Sequence, residues 1–270
     1  MSIRLIAIDI DGTLVNSERK LTERVKNTLI AARDKGVKIV LCTGRPLPGV
    51  QPELEALGLV TDEDYVITYN GSLVQNVGTK EEIFSAHLSQ DDYLDVSYMA
   101  QKLGVHLHVS SSDAIYTAHR DISPYTVHES WLVHMPIKFR SADEMITEPV
   151  EMIKMMMIDE PAILDAAIAQ IPADFKERYT VVKSAPFYLE VLHPGASKGV
   201  GLAQLASHLE LTSDEVMAIG DNENDLTMLE YAGIGVAMKN AIPIVKEVAD
   251  VETASNDEDG VALVVEQYVL

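Results

Sequence analysis

The sequence is poor in cysteine and in basic residues. Cys42 is its single cysteine among 270 residues, which excludes a disulfide within the chain and a metal site built from several thiolates. Because Cys42 ends the apolar segment Val40-Leu41-Cys42, we interpret it as a small buried hydrophobe. Lys and Arg number 21 against 42 Asp and Glu, which gives a formal net charge of −21. Nucleic acids and anionic membranes are bound through basic surfaces, so we expect neither as a partner.

Long apolar runs are also lacking. No segment reaches the roughly 18 uninterrupted apolar residues of a membrane-spanning helix. The opening MSIRLIAIDID carries acids where a secretory signal needs an apolar stretch, and we therefore expect a cytoplasmic protein. Apolar residues make up 47% of the chain, enough for one large domain or for a core with an inserted lobe.

The two ends of the chain share one pattern. The apolar run Ile3–Ile8 is followed by a helix that Thr22 can cap, and then by a second apolar run at Val37–Leu41. Strands that are apolar on both faces are typical of a parallel sheet covered by helices. The pattern resumes after Pro194-Gly195, with a further strand at Val216–Ile219. We expect an α/β fold with a doubly wound, Rossmann-like parallel sheet at its core.

The middle of the chain has a different pattern of strands and helices. Short strands of alternating character, such as Val105–Val109 and Tyr188–Leu192, are interleaved with helices. This pattern favours an α+β lobe whose sheet has one exposed face. The predicted organisation is a core domain from residues 1–82 and 195–270, with residues 83–194 inserted between them.

Two acids follow the first strand, in the segment DIDGT. Asp9 and Asp11 lie two residues apart, so in a strand they project from the same face at roughly 6.6 Å. Gly12 lets the backbone turn away without steric cost. Two neighbouring carboxylates are electrostatically unfavourable unless a cation or a shared proton relieves them.

Further polar residues occur at strand ends or helix starts of the same predicted sheet. Ligands bind such sheets beyond the carboxyl ends of their strands, so we expect these residues to converge with the two acids. They are Thr43 and Arg45, Lys198, and Asp221 with Asn224 and Asp225. Carboxylates facing one lysine suit a hard cation plus an anion, and Mg²⁺ prefers oxygen ligands. We also expect the helix starts after DIDGT and at Lys198 to aim backbone N–H groups at the anion.

This composition predicts phosphoryl chemistry. A carboxylate can attack phosphorus and form an aspartyl-phosphate, and we assign that role to Asp9. Asp11 can protonate the leaving alkoxide and then accept a proton from the attacking water. Asp221 would complete the metal shell, while Lys198 and the Thr43 hydroxyl would hold phosphoryl charge.

The motifs resemble those of a known family. DIDGT, Thr43-Gly44-Arg45, Lys198 and GDNEND resemble, in order, the four signature motifs of the haloacid dehalogenase superfamily of phosphatases. The long insert resembles the C2-type cap of its Cof-type members, the sugar phosphatases among them. The resemblance extends along nearly the whole chain.

The resemblance implies a role for each matching residue. It implies Asp9 as nucleophile and metal ligand, Asp11 as acid/base with its backbone carbonyl on the metal, and Asp221 as a metal ligand supported by Asp225. The residues expected to contact phosphate or substrate are Ile10, Thr43, Gly44, Arg45, Asn70, Lys198 and Asn224. Two of these keep simpler alternatives: Arg45 could pair with an acidic neighbour or lie on the surface, and Asn70-Gly71 could be only a hairpin turn.

We therefore expect a Mg²⁺-dependent phosphomonoester hydrolase that acts on small phosphorylated metabolites, with sugar phosphates favoured. A phosphosugar mutase would use the same aspartyl-phosphate, and a non-catalytic sugar-phosphate-binding regulator would use only the binding residues. The insert should close over the site and select the leaving group, with the polar stretch Arg120–Glu129 as the candidate region.

Overall fold

The computed structural model describes residues 2–270. The chain divides into two compact units: Met1–Phe84 with Ser197–Leu270 form the first unit, and Ser85–Ala196 form the insert. Within residues 2–270, no helix combines the length and the apolar character needed to cross a membrane.

The N-terminal part of the first unit alternates strands with helices, as the apolar runs predict. Its elements are β1 (Leu5–Ile8), α1 (Glu23–Asp34), β2 (Lys38–Cys42), α2 (Gln51–Leu57), β3 (Tyr65–Thr68), β4 (Leu73–Asn76) and β5 (Glu82–Ser85). The side chain of Thr22 caps α1 by accepting a hydrogen bond from the backbone N–H of Val25. Helix α2 ends at Gly58, whose φ of 68° is left-handed.

The insert is an α+β unit with a sheet of its own. Its strands are β6 (His106–Ser110), β7 (Ile115–Thr117), β8 (Ile137–Phe139), β9 (Lys154–Ile158), β10 (Thr180–Ala185) and β11 (Tyr188–Leu192). Its helices are α3 (Gln90–Leu103), α4 (Pro124–Val133), α5 (Ala142–Thr147), α6 (Pro161–Ile168) and α7 (Ala173–Arg178). The strand order is β10-β11-β9-β6-β7-β8.

Both faces of the middle of this sheet are covered, so the prediction of one exposed face was wrong. Met155 and Met157 of β9 pack in the apolar cluster on one face, and Met156 is equally buried on the other. On that second face, α4 meets polar residues: His108 Nδ1 lies 3.2 Å from Thr126 Oγ1. Polar residues on this face have partners on α4 instead of water, so their alternation with apolar residues does not indicate exposure.

The chain then returns to the first unit. Its remaining elements are α8 (Lys198–His208), β12 (Val216–Gly220), α9 (Leu226–Tyr231), β13 (Ile234–Ala237), α10 (Pro243–Val248), β14 (Val251–Glu252) and α11 (Gly260–Tyr268). The eight strands of this unit have the order β14-β13-β12-β1-β2-β3-β4-β5. The predicted doubly wound α/β fold is confirmed.

Strand β1 lies at the centre of this sheet. It pairs in parallel with β12 on one side and with β2 on the other, with Ile8 opposite both Ile219 and Leu41. The side chains of β1 are fully buried. The carboxyl ends of β1, β2 and β12 therefore meet at one edge of the sheet, and the residues that follow them share that edge.

Candidate active site

Asp9 follows β1 and is almost fully buried. Its Oδ1 accepts a hydrogen bond from Lys198 Nζ at 2.5 Å, and the same Nζ donates to Asp225 Oδ1 at 2.6 Å. Lys198, the first residue of α8, is fully buried. One lysine therefore holds two carboxylates that arrive from opposite ends of the sequence.

The electrostatics of this trio follow from burial. Burial is the largest influence on the pKa of Asp9 and raises it, although the charge of Lys198 works against the rise. Burial would lower the pKa of Lys198, but the charges of Asp225 and Asp9 outweigh it and leave the pKa raised. Lys198 is therefore charged. A second cation beside Asp9 would add to the effect of Lys198 and oppose the rise in the pKa of Asp9.

Three carboxylates converge at this place. Oxygens of Asp9, Asp221 and Asp225 lie within 4.8 Å of one another. Burial raises the pKa of Asp221 to about 6, although the hydrogen bond from Thr13 opposes the rise. This donor set consists of oxygens alone and carries more negative charge than one lysine balances, so the residues fit a divalent cation of the hard type.

Asp225 differs from the other two acids. Its Oδ2 accepts hydrogen bonds from the backbone N–H groups of Asp221 and Asn222, at 2.9 and 3.0 Å, while its Oδ1 accepts from Lys198. Both of its oxygens are thus engaged with the protein. Asp225 therefore shapes the loop that presents Asp221.

A tight turn follows Asp9, and the next helix, α1, begins only at Glu23. The backbone N–H of Leu14 donates to the Asp9 carbonyl, and that of Val15 donates to the Ile10 carbonyl, both at 3.1 Å. Gly12 has a φ of 89°, and a Cβ on it would lie 2.5 Å from Asp221 Oδ2. Only glycine fits there, because both the conformation and the approach exclude a side chain.

Thr13 is a site residue that the sequence reasoning missed. Its Oγ1 donates to Asp221 Oδ1 at 2.8 Å, so the turn after β1 holds the acid that follows β12. The sequence feature that could have indicated this role is the position of Thr13, a hydroxyl residue directly after Gly12. The turn at Gly12 brings Thr13 back toward the strand ends.

Asp11 has different surroundings from Asp9. Half of its side chain is exposed, and both of its oxygens accept hydrogen bonds from Arg45: Nε donates to Oδ2 at 2.9 Å, and Nη2 donates to Oδ1. Of the alternatives for Arg45, the structure shows the pairing with an acidic neighbour. The two acids of DIDGT thus have separate cationic partners.

The remaining predicted residues lie around the end of β2. The Thr43 carbonyl accepts from the backbone N–H of Asn70 at 2.9 Å, and Thr43 Oγ1 accepts from the backbone N–H of Arg45 at 3.1 Å. Asn70 Oδ1 accepts from Asn224 Nδ2 at 3.0 Å, and a Cβ on Gly44 would lie 3.0 Å from Asn70 Nδ2. Asn70-Gly71 is the turn between β3 and β4, and it also touches the site.

Ile10 stands apart from these residues because its side chain is fully buried in the apolar core. A contact of Ile10 with substrate could therefore involve only its backbone.

The sequence pattern that defines the haloacid dehalogenase-like hydrolases matches residues 6–265. The chain belongs to that family. This haloacid dehalogenase-like hydrolase is 49% identical over 267 residues to the Bacillus subtilis protein named "Putative phosphatase YxeH", covering 99% of this chain and 98% of the other. The family predicted from the motifs is confirmed, and the chain is a phosphatase enzyme of that family.

Solved structures of the family have the same fold. A haloacid dehalogenase-like hydrolase from Bacteroides thetaiotaomicron superposes with a TM-score of 0.85 at 32% identity, covering 98% of this chain and 99% of the other. The subclass IIB sugar phosphatase BT4131 superposes with a TM-score of 0.80 at 28% identity, covering 98% of each chain. Phosphatases of this family generally use a divalent metal, and Asp9, Asp221 and Asp225 form a group that could bind one.

Proposed function

We propose that this haloacid dehalogenase-like hydrolase is a Mg²⁺-dependent phosphomonoesterase for small phosphorylated metabolites, with sugar phosphates favoured, and that it works through an aspartyl-phosphate. The observation that carries the proposal is the contrast between Asp9 and Asp11. Asp9 is buried against Lys198, whereas Asp11 is half exposed and held by Arg45, where a leaving group or water can approach it.

In the first half-reaction, a carboxylate oxygen of Asp9 bonds to phosphorus, and the bond between phosphorus and the ester oxygen breaks. Asp11 in its protonated form gives its proton to the leaving alkoxide. In the second half-reaction, Asp11 takes a proton from water. The resulting hydroxide displaces the Asp9 carboxylate from phosphorus and releases inorganic phosphate.

Asp9, Asp221 and the backbone carbonyl of Asp11 would hold the Mg²⁺, with Asp225 supporting Asp221 through its loop. The cation would neutralise charge on the phosphoryl oxygens and on Asp9. Mg²⁺ is favoured over zinc because the converging side-chain donors are carboxylate oxygens.

Thr43 and Lys198 are the proposed holders of the phosphoryl group. Thr43 Oγ1 accepts a hydrogen bond from the backbone N–H of Arg45, so its own hydrogen is available to donate to an anion. Lys198 supplies positive charge at the floor of the site. Asn224, Asn70, Gly44 and the backbone of Ile10 complete the proposed phosphate and substrate contacts.

Sugar phosphates are favoured because BT4131, a structural relative at 28% identity, is described as a sugar phosphatase. We further propose that the insert, residues 83–194, acts as the cap that selects the leaving group. The stretch Arg120–Glu129 remains the proposed specificity region; within it, Ile122 and Val127 are exposed.

The test is release of inorganic phosphate from an aryl phosphate such as p-nitrophenyl phosphate, with Mg²⁺ and with EDTA. We expect metal-dependent release that EDTA abolishes and added Mg²⁺ restores. Folded protein that releases no phosphate under these conditions would contradict the proposal and favour a binding protein. A mutase would instead return an isomerised sugar phosphate and depend on a sugar bisphosphate.

A further inference from the structure

Glu53 lies on α2, outside the four motifs, yet it reaches the guanidinium that binds Asp11. Its Oε1 accepts a hydrogen bond from Arg45 Nη1 at 3.3 Å. Arg45 Nη1 also donates to the carbonyl of Gly49 at 3.1 Å. One edge of the guanidinium is therefore held by Arg45's own segment and α2, and the opposite edge by Asp11.

Glu53 is also an unusually placed acid. Its side chain is only 16% exposed, and its Oε2 is buried without a hydrogen-bond partner anywhere in residues 2–270. Burying a carboxylate oxygen without a donor is unfavourable, so a residue that served only to stabilise α2 would be better placed in solvent. The burial of Glu53 is explained if its contact with Arg45 contributes to function and not only to the stability of α2.

We propose that Glu53 is a positioning residue for the reaction: it fixes Arg45 so that Nε and Nη2 face Asp11 and hold that carboxylate in place. A guanidinium is a planar fork, and its orientation is set once both edges are bound. Without Glu53, only the Gly49 carbonyl holds the far edge, and the fork can rotate away from Asp11. This inference rests on the proposed function, since it assigns Asp11 the acid/base role.

Loss of Glu53 should lower turnover and leave substrate binding unchanged, because Glu53 is placed to act on Asp11 through Arg45. Small displacements of an acid/base lower its effectiveness strongly. For Glu53→Ala we expect kcat to fall about 5- to 10-fold with KM changed less than about twofold. The matched control is Glu55→Ala, since Glu55 is exposed on the same helix and contacts Gln51 instead of Arg45.

A double-mutant cycle separates positioning from simple stabilisation. If Glu53 acts through Arg45, Glu53→Ala lowers kcat in the wild type but has little further effect in Arg45→Ala. Equal loss of kcat in both backgrounds, or no loss in the wild type, would overturn the inference. An inactive wild type would instead contradict the proposed function, so the two failures are distinguishable.

Crystal structures test the inference even if turnover by Arg45→Ala is too slow to measure. Crystal structures of the wild type and of Glu53→Ala should show the contact between Arg45 and both Asp11 oxygens in the first and its loss in the second. An unchanged pair in Glu53→Ala would contradict the inference whatever the kinetics.

Discussion

Thr13 donates its hydroxyl hydrogen to Asp221 across 2.8 Å, and so joins the turn after β1 to the loop after β12. The contact fixes the carboxylate that is proposed to complete the metal shell. Residues that orient metal ligands typically affect metal affinity about 10- to 100-fold. Thr13→Val keeps the shape and removes the donor, so we expect about a 10-fold weaker Mg²⁺ affinity. Calorimetric titration with Mg²⁺ and the Mg²⁺ dependence of phosphate release both measure it. Unchanged affinity by both would show that the hydroxyl does not orient Asp221.

Asp9→Asn tests the nucleophile, since it removes the charge but little volume. We expect kcat to fall by about a thousandfold or more, because an amide cannot form the acyl-phosphate. Thermal unfolding should show a folded protein, since the buried trio loses one charge but no side chain. Turnover near the wild-type rate would exclude Asp9 from the attack.

Lys198 should be important for stability as well as for chemistry. Its removal leaves Asp9 and Asp225 buried without their shared cation, and breaking a buried ion pair typically costs about 3–5 kcal/mol. Lys198→Ala should therefore lose stability on that scale in urea unfolding.

Lys239→Ala is the matched control for Lys198→Ala. Lys239 also pairs with a carboxylate, Glu258, but its side chain is 60% exposed. Exposed pairs contribute about 0–1 kcal/mol, so the control should change stability little. Similar losses in both variants would contradict the assignment of Lys198 as the buried bridge.

His108 makes the stability of the insert depend on pH. It is fully buried, and burial lowers its pKa from 6.5 to about 3, with the charge of Lys154 adding to the effect. The unfolded chain binds a proton at this residue below about pH 6.5, and the folded chain does not until about pH 3. Below pH 6.5 the free energy of unfolding therefore falls as the pH falls, by about 1.4 kcal/mol per pH unit. Above pH 6.5 His108 is neutral in both states and this loss is absent.

His108→Asn should reduce that slope between pH 6 and about 4. The control is His134→Asn, because His134 is exposed in the same unit and has a left-handed backbone that asparagine tolerates. Urea unfolding at several pH values measures the difference. A slope unchanged in His108→Asn would mean that the imidazole is not kept neutral by burial.

The first unit could be predicted well because its signals are local. Strands that are apolar on both faces indicated a parallel sheet, and the rule that ligands bind beyond strand ends placed Asp9 near Asp221 before the structure showed it. Lys198 followed from the same rule, since a helix that succeeds a strand begins at that edge.

What could not be predicted depends on turns and on long side chains. The exact path of the chain after DIDGT could not be predicted: Gly12 is left-handed and turns the chain back, so that Asp11 bridges to Val15. Arg45 has several acids within reach, and no sequence pattern selects Asp11 and Glu53 among them. In the insert, His108 alternates with apolar residues as an exposed residue would, but α4 covers it.

The central claim is that the phosphoryl group passes through Asp9. The most direct measurement mixes the enzyme with Mg²⁺ and an aryl phosphate, quenches with acid within the first turnover, and locates the phosphoryl group by peptide mass spectrometry. We expect it on the peptide that contains Asp9 in the wild type, and on no peptide in Asp9→Asn. A phosphoryl group on another residue, or turnover by a wild type that is phosphorylated nowhere, would contradict the account.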